Sequence, residues 1–170
     1  MGKLQQLVTR LKQTPMNVGA LKKVLPEYAT FKTIGQLTEH RSKVFGRFDC
    51  VVVLIPSNFS TIGHFVVLTR FPKYIEYFSS LGGSPKSETQ KLGQRADILL
   101  RLLGKNYVYN SVALQSSSST IQDCALFVLA RVKLRKLKLR EFQALFKGRI
   151  SLQSPDDIVS LLAVLLVVDL

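Results

Sequence analysis

Val51-Val52-Val53-Leu54-Ile55 is an unbroken apolar run, four of its five residues β-branched, closed by Pro56-Ser57-Asn58. No polar residue interrupts it, so it reads as a central strand buried on both faces. A second strand follows over Gly63–Phe71, a turn at Pro72-Lys73, and a third strand over Tyr74–Phe78, closed by Gly82-Gly83-Ser84-Pro85. So short a connection makes the second and third strands an antiparallel pair.

Around this centre the periodicity turns helical. Leu92, Ala96, Leu99 and Leu103 space one helix face over Glu88–Leu103, with Gly104 placed to end it, and strand signals return over Tyr107–Val112. Gln115–Thr120 is a polar loop, and the apolar run Cys124–Val132 is too long for an average strand and reads as a buried helix, with Asp123 and the preceding hydroxyls as caps. Amphipathic helices are expected at 3–13, Arg140–Phe146 and Asp156–Val168, and a turn at Ala20–Val24. Residues 27–47 carry no firm period and are expected to be loop with short elements. The pattern predicts one α+β domain over 1–170: a helical and irregular part (1–47), a core (48–132) and a basic, helical part (133–170).

Lysine and arginine number 24 against 11 acids, a net charge of +13, which favours a polyanionic partner because neutralised phosphates release condensed counterions. Ten residues from Arg131 to Arg140 include six bases: Arg131, Lys133, Arg135, Lys136, Lys138 and Arg140. These are the candidate nucleic-acid contacts, although such runs are most often a solvated helix face. Lys3, Arg10, Lys12, Lys22, Lys23, Lys43 and Arg47 would extend the surface if they met in space. The longest apolar stretch, Ile158–Leu170, is interrupted by Ser160 and Asp169 and falls short of the roughly 20 residues a bilayer needs. No membrane span is expected, and no export signal is read at the N-terminus.

Two cysteines and two histidines are too few for a disulfide scaffold or a zinc site, so no metal is assigned and a reduced, intracellular protein is expected. Cys50, at a strand start, reads as core, and His40 as surface. Cys124 stands where a helix begins, and the amides and dipole of a helix N-terminus favour thiolate over thiol. With the strand-borne His64 it forms the pair best suited to nucleophilic chemistry; the plainer reading makes one a small buried hydrophobe and the other a satisfied core histidine.

The surrounding text favours chemistry. Gly63-His64-Phe65-Val66-Val67-Leu68, then Tyr74-Ile75-Glu76-Tyr77-Phe78-Ser79-Ser80-Leu81-Gly82-Gly83, then Leu114-Gln115, then Asp123-Cys124-Ala125-Leu126-Phe127-Val128 resembles the adenain-like and SUMO-deconjugating cysteine protease superfamily. The likeness covers residues 48–132, about half the chain, and is closest to the maturation proteases of adenoviruses, adintoviruses and Polinton elements. It implies a papain-like, adenain-type arrangement: a small mixed β-sheet packed against a buried helix that starts at the catalytic cysteine. It also implies that Cys124 is the nucleophile, His64 the base, and Gln115 the side-chain donor to the oxyanion.

This chain departs from that pattern at four points. Phe65 stands for the family's tryptophan and Ala125 for the glycine after the nucleophile, and Gln115 lies nine residues before Cys124 rather than six or seven. Ser79 falls on the third-member position, where the family has an acid or amide, and a hydroxyl cannot stabilise an imidazolium as a carboxylate does. Glu76 is the nearest acid, but it lies an odd number of residues from Ser79 and should face the other way. Gln122 is nearer Cys124 than Gln115 but would have to fold back across the helix start.

The resemblance implies a cysteine endopeptidase that cuts viral or virus-like capsid and core precursors. No cofactor is required by the chemistry, DNA is expected as an activating polyanion, and an activating peptide is a further candidate partner. The expected location is the virion and the host nucleus or cytoplasm. Two other readings stay open: a protease that removes ubiquitin-like modifiers, and a catalytically weakened or inactive nucleic-acid-binding virion protein on the same fold.

Overall fold

The structure, a computed structural model, describes Gln6 and residues 17–61, 63–115 and 124–147. The helices expected at 3–13 and 156–168, the latter part of the polar loop after Gln115, and the basic residues Lys3, Arg10 and Lys12 lie outside the described residues.

The chain is a mixed α+β structure built on one sheet. In chain order its elements are α1 (Val18–Val24), β1 (Ala29–Thr33), a 3-10 turn (Ile34–Gln36), α2 (Arg41–Phe45), β2 (Cys50–Ile55), β3 (His64–Arg70), β4 (Ile75–Phe78), α3 (Pro85–Lys91), α4 (Asp97–Leu103), β5 (Tyr107–Tyr109), α5 (Cys124–Lys133) and α6 (Leu139–Ala144). The strands lie side by side in the order β1-β2-β3-β4-β5. β2-β3 and β3-β4 are antiparallel, while the outer pairs β1-β2 and β4-β5 are parallel, so the sheet is mixed.

The apolar run of β2 is buried on both sides, and strand alternation assigns its residues to two cores. Cys50 and Val52 join Phe65, Val67, Phe78 and the whole apolar length of α5 on one face, closed over by Leu21, Phe142 and Phe146. Val51, Val53 and Ile55 join Val66, Leu68, Ile75 and Tyr77 on the other, against Val44 and Phe45 of α2 and Leu99, Leu102 and Leu103 of α4. Covered by the sheet below and by these helices above, α5 buries every residue from Cys124 to Val132, so its sequence shows little polar periodicity.

The short elements expected within residues 27–47 are a strand, a 3-10 turn and a helix; the strand, β1, pairs in parallel with β2 from Ala29↔Cys50 to Thr33↔Leu54, as an outer strand too mixed in polarity to show a period. Two expectations are corrected. The single helix expected over Glu88–Leu103 is two, separated at Gly93, whose φ is +75°. Asn58 donates its side-chain amide to the Gly93 carbonyl at 2.6 Å, and a β-carbon at Gly93 would lie 2.9 Å from the Asn58 β-carbon, so the loop after β2 presses into the break. The strand expected over Tyr107–Val112 ends at Tyr109, because Asn110 turns its amide back to the carbonyls of Ser79 and Val112 at 2.6 and 2.8 Å.

Glu76 and Arg131 tie the sheet to α5. Both are fully buried, and the guanidinium meets the carboxylate through two bonds, Nε to Oε1 at 2.7 Å and Nη2 to Oε2 at 2.9 Å. Nη1 reaches the Leu134 carbonyl at 3.0 Å, and the guanidinium carbon sits 5.2 Å from the Phe142 ring centroid. Removing one partner strands a charge without solvent, whereas removing both leaves an apolar site. Arg131→Met should therefore cost about 3–5 kcal/mol in urea unfolding, and Glu76→Leu combined with Arg131→Met should recover most of it. Equal losses in the single and double variants would refute the charge argument.

Candidate active site

His64 opens β3 and is 5% exposed; by alternation it belongs with Val66 and Leu68, on the face that Tyr77 shares. Its Nε2 lies 2.8 Å from the Ser79 hydroxyl, just past the end of β4. Ser79 donates its one proton to Glu88 Oε1 at 2.7 Å and accepts the Leu81 amide at 3.2 Å. With that proton committed, His64 must donate from Nε2, which makes Nδ1 the ring nitrogen that carries the lone pair.

Glu88 is the residue that sequence reasoning missed. It lies on α3, which starts because Ser84 accepts the Ser87 amide and Pro85 occupies the first helical position. Its carboxylate is buried and takes three donors: the Ser79 hydroxyl, the Tyr77 hydroxyl at 2.8 Å and the Gly83 amide at 2.9 Å. Oε2 stands 3.9 Å from His64 Nε2. Burial raises the Glu88 carboxyl above its ordinary range, opposed by the bonds from Ser79 and Tyr77 and the Gly83 amide. Burial alone lowers His64 to about 4, so the ring is neutral at pH 7.

The Gly82-Gly83 turn is required by this packing. A β-carbon at Gly83 would lie 2.5 Å from Glu88 Cγ; one at Gly82, where φ is +75°, would lie 2.5 Å from the Ala113 amide nitrogen. The backbone of this turn thus runs directly against the carboxylate on one side and the 112–113 strand exit on the other.

Gln115 is held beside the same segment. The amides of Leu114 and Gln115 both donate to the Ser80 carbonyl, at 2.7 and 3.0 Å, and the Ser80 hydroxyl donates to Gln115 Oε1 at 2.7 Å. Its oxygen is thus held by Ser80, and a side-chain NH2 is the kind of donor an oxyanion takes. Asn110, a second polar residue not singled out in the sequence, fastens the Ser79 carbonyl from below and accepts from the Gln143 amide at 2.8 Å.

Cys124 is the first residue of α5, the helix that packs on β3, and it shares a core cluster with Phe65, the neighbour of His64. The other cysteine, Cys50, lies at the start of β2. Cys50 lies within hydrogen-bonding distance of Thr69 Oγ1, at 3.6 Å, and burial pushes its thiol up to about 11. It is core, as expected, and His40 is exposed, as expected.

The basic run does not form one helix face. Arg131 is withdrawn from any outer surface by its pair with Glu76, which corrects its assignment as a nucleic-acid contact: a guanidinium with no solvent exposure and a bidentate carboxylate has no charge to offer a phosphate. Arg135 stacks 3.5 Å from the Tyr28 ring centroid and pairs with Asp49 at 3.6 Å. Lys136, Lys138 and Arg140 are exposed and Lys133 is half-buried. Elsewhere, Lys22 and Arg47 line one open groove beside β1, each over an aromatic ring, Phe31 and Phe48. Among the described residues, no helix is long and apolar enough to cross a membrane.

His64 gives this site a measurable pH signature. Its folded pKa lies below the unfolded value, so the unfolded chain takes up the proton first, and stability present above about pH 6.5 is lost as pH falls towards about 4. The loss attributable to His64 is roughly 3 kcal/mol. Urea unfolding from pH 7.5 to 4 should show it as a gap that closes between wild type and His64→Gln as pH falls; parallel curves would mean that His64 is not buried as the neutral form.

Neither a scan against protein-family models nor a search of curated proteins found a match for this chain.

Proposed function

We propose that this protein is a cysteine endopeptidase of the adenain-like group, with a papain-like arrangement of its site, that processes capsid or core precursors in association with DNA. The observation that carries the proposal is the hydrogen-bonded neighbourhood of His64, which holds a neutral imidazole with its lone pair on Nδ1.

In this mechanism the Cys124 thiol gives its proton to His64 Nδ1, and the thiolate attacks the scissile carbonyl. Because α5 packs on the sheet face opposite to that of Val66 and Leu68, the transfer requires His64 and Cys124 to meet around the end of the sheet at the start of β3. The Gln115 amide and backbone amides near Cys124 stabilise the oxyanion. The imidazolium then protonates the departing amine, and His64 activates the water that hydrolyses the thioester. Lys133, Arg135, Lys136, Lys138 and Arg140, with the Lys22–Arg47 groove, are the surface offered to a polyanion; Lys136, Lys138 and Arg140 are exposed, Lys22 and Arg47 line an open groove that also holds Glu27, and Arg135 is paired with Asp49.

Covalent labelling by a cysteine-directed peptide electrophile tests the proposal. Label should appear on wild type and Cys50→Ala and vanish from Cys124→Ala, with His64→Ala at least about a hundredfold slower, the lower range for general acid–base catalysis. Double-stranded DNA should accelerate labelling, and the gain should fade with salt. Labelling of Cys50 and Cys124 at equal rates, or no labelling of Cys124 in the folded protein, would sink the peptidase reading and favour a nucleic-acid-binding scaffold. Cleavage confined to ubiquitin-like modifier substrates would move it to the deconjugating branch.

A further inference from the structure

We infer that Glu88, acting through the Ser79 hydroxyl, is the acid that orients His64, so that a serine and a glutamate from separate elements share the work of one third member; this rests on the Cys-His reading above. The chain is continuous: His64 Nε2–H to Ser79 Oγ at 2.8 Å, then Ser79 Oγ–H to Glu88 Oε1 at 2.7 Å. Each link fills its partner. Ser79 has one proton and gives it to the carboxylate, while its oxygen takes the His64 and Leu81 N–H groups. Glu88 receives donors from β4, the Gly82-Gly83 turn and Ser79, and so has no other direction in which to turn.

A hydroxyl alone cannot balance an imidazolium, but a hydroxyl polarised by a carboxylate can pass part of that charge on, because hydrogen bonds in a low-dielectric site strengthen one another. The second carboxylate oxygen, 3.9 Å from Nε2, adds direct attraction when the ring is protonated. Among the described residues, the charged groups facing the ring from neighbouring elements reduce to Glu88 on α3, with Tyr77 on β4 bonded to it; Glu76 on β4 is occupied by Arg131 on the other side of the sheet. Ser79 and Glu88 are positioning residues here. Neither is required to touch substrate.

The wild-type protein alone gives the first decision. Nitrogen-15 NMR of the histidine side chains at neutral pH should show His64 as the Nε2–H tautomer, its ring proton protected from exchange; an Nδ1–H tautomer would overturn the inference. The second measurement is the pH–rate profile of Cys124 alkylation by iodoacetamide in the Cys50→Ala background. Glu88→Gln, which keeps size and an acceptor but removes charge, and Ser79→Ala should each slow alkylation at pH 7 by at least about tenfold. That is less than the about ten-thousandfold loss when a directly bonded acid is neutralised. Both should also move the profile's midpoint to higher pH, a displacement that a purely structural role would not produce. Folded variants with the wild-type profile would overturn the inference while leaving the peptidase reading intact. A wild-type Cys124 no more reactive than a free thiol, with no dependence on His64, would instead remove the reading on which the inference rests, and the tautomer would still report whether the His64–Ser79–Glu88 chain exists.

Discussion

A carboxylate without water is the constraint around which one end of this molecule is arranged. Glu88 is buried, and an ionised carboxylate there is tolerable only if its oxygens are occupied by donors. Those donors come from Tyr77, Ser79 and Gly83, so α3 must return to the end of β4, the connecting turn must be glycine where it passes the carboxylate, and Ser79 must face His64. Satisfying one buried acid thereby determines the position and tautomer of a histidine on a neighbouring strand.

The sheet makes this precision available. Its middle strands are covered on both faces, by α5 with α1 and α6 on one side and by α2 and α4 on the other. Among the described residues most buried polar groups gather at two places: the Glu76–Arg131 pair, which locks α5 to β4, and the cluster of His64, Ser79, Ser80, Glu88 and Asn110 at the strand ends; Thr69 and Thr89 lie apart, against Cys50 and the Pro85 carbonyl. The first is paired through two charge-assisted bonds, with a third from Arg131 to the Leu134 carbonyl, and stabilises geometry. The second includes an imidazole whose hydrogen bond to Ser79 leaves the lone pair on Nδ1.

The division between legible and illegible features follows from range. Strands β2, β3 and β4 and the buried helix at Cys124 were readable because their apolar runs declare their own burial, and His64 and Cys124 because each sits at the boundary of such a run. β1 was not, since an outer strand half-covered by neighbours carries no period. Gly93 looked like a glycine inside one helix, and only the approach of Asn58 from the preceding loop explains why it separates two. Arg131 looked like the first of six exposed bases until Glu76, 55 residues away, took its charge.

By itself the sequence determined the alternation of strand and helix and the antiparallel centre of the sheet, and it marked Cys124 and His64 as candidates for chemistry. It also marked Ser79 as the weak point of a third-member assignment. The tertiary structure alone decided what supports that serine, because Glu88 is nine residues further on, in a helix whose first turn looks solvated in one dimension. Its burial depends on where a glycine turn returns the chain. Local pattern records whether a residue prefers water; which partner meets it after the chain folds back is a property of the assembled sheet.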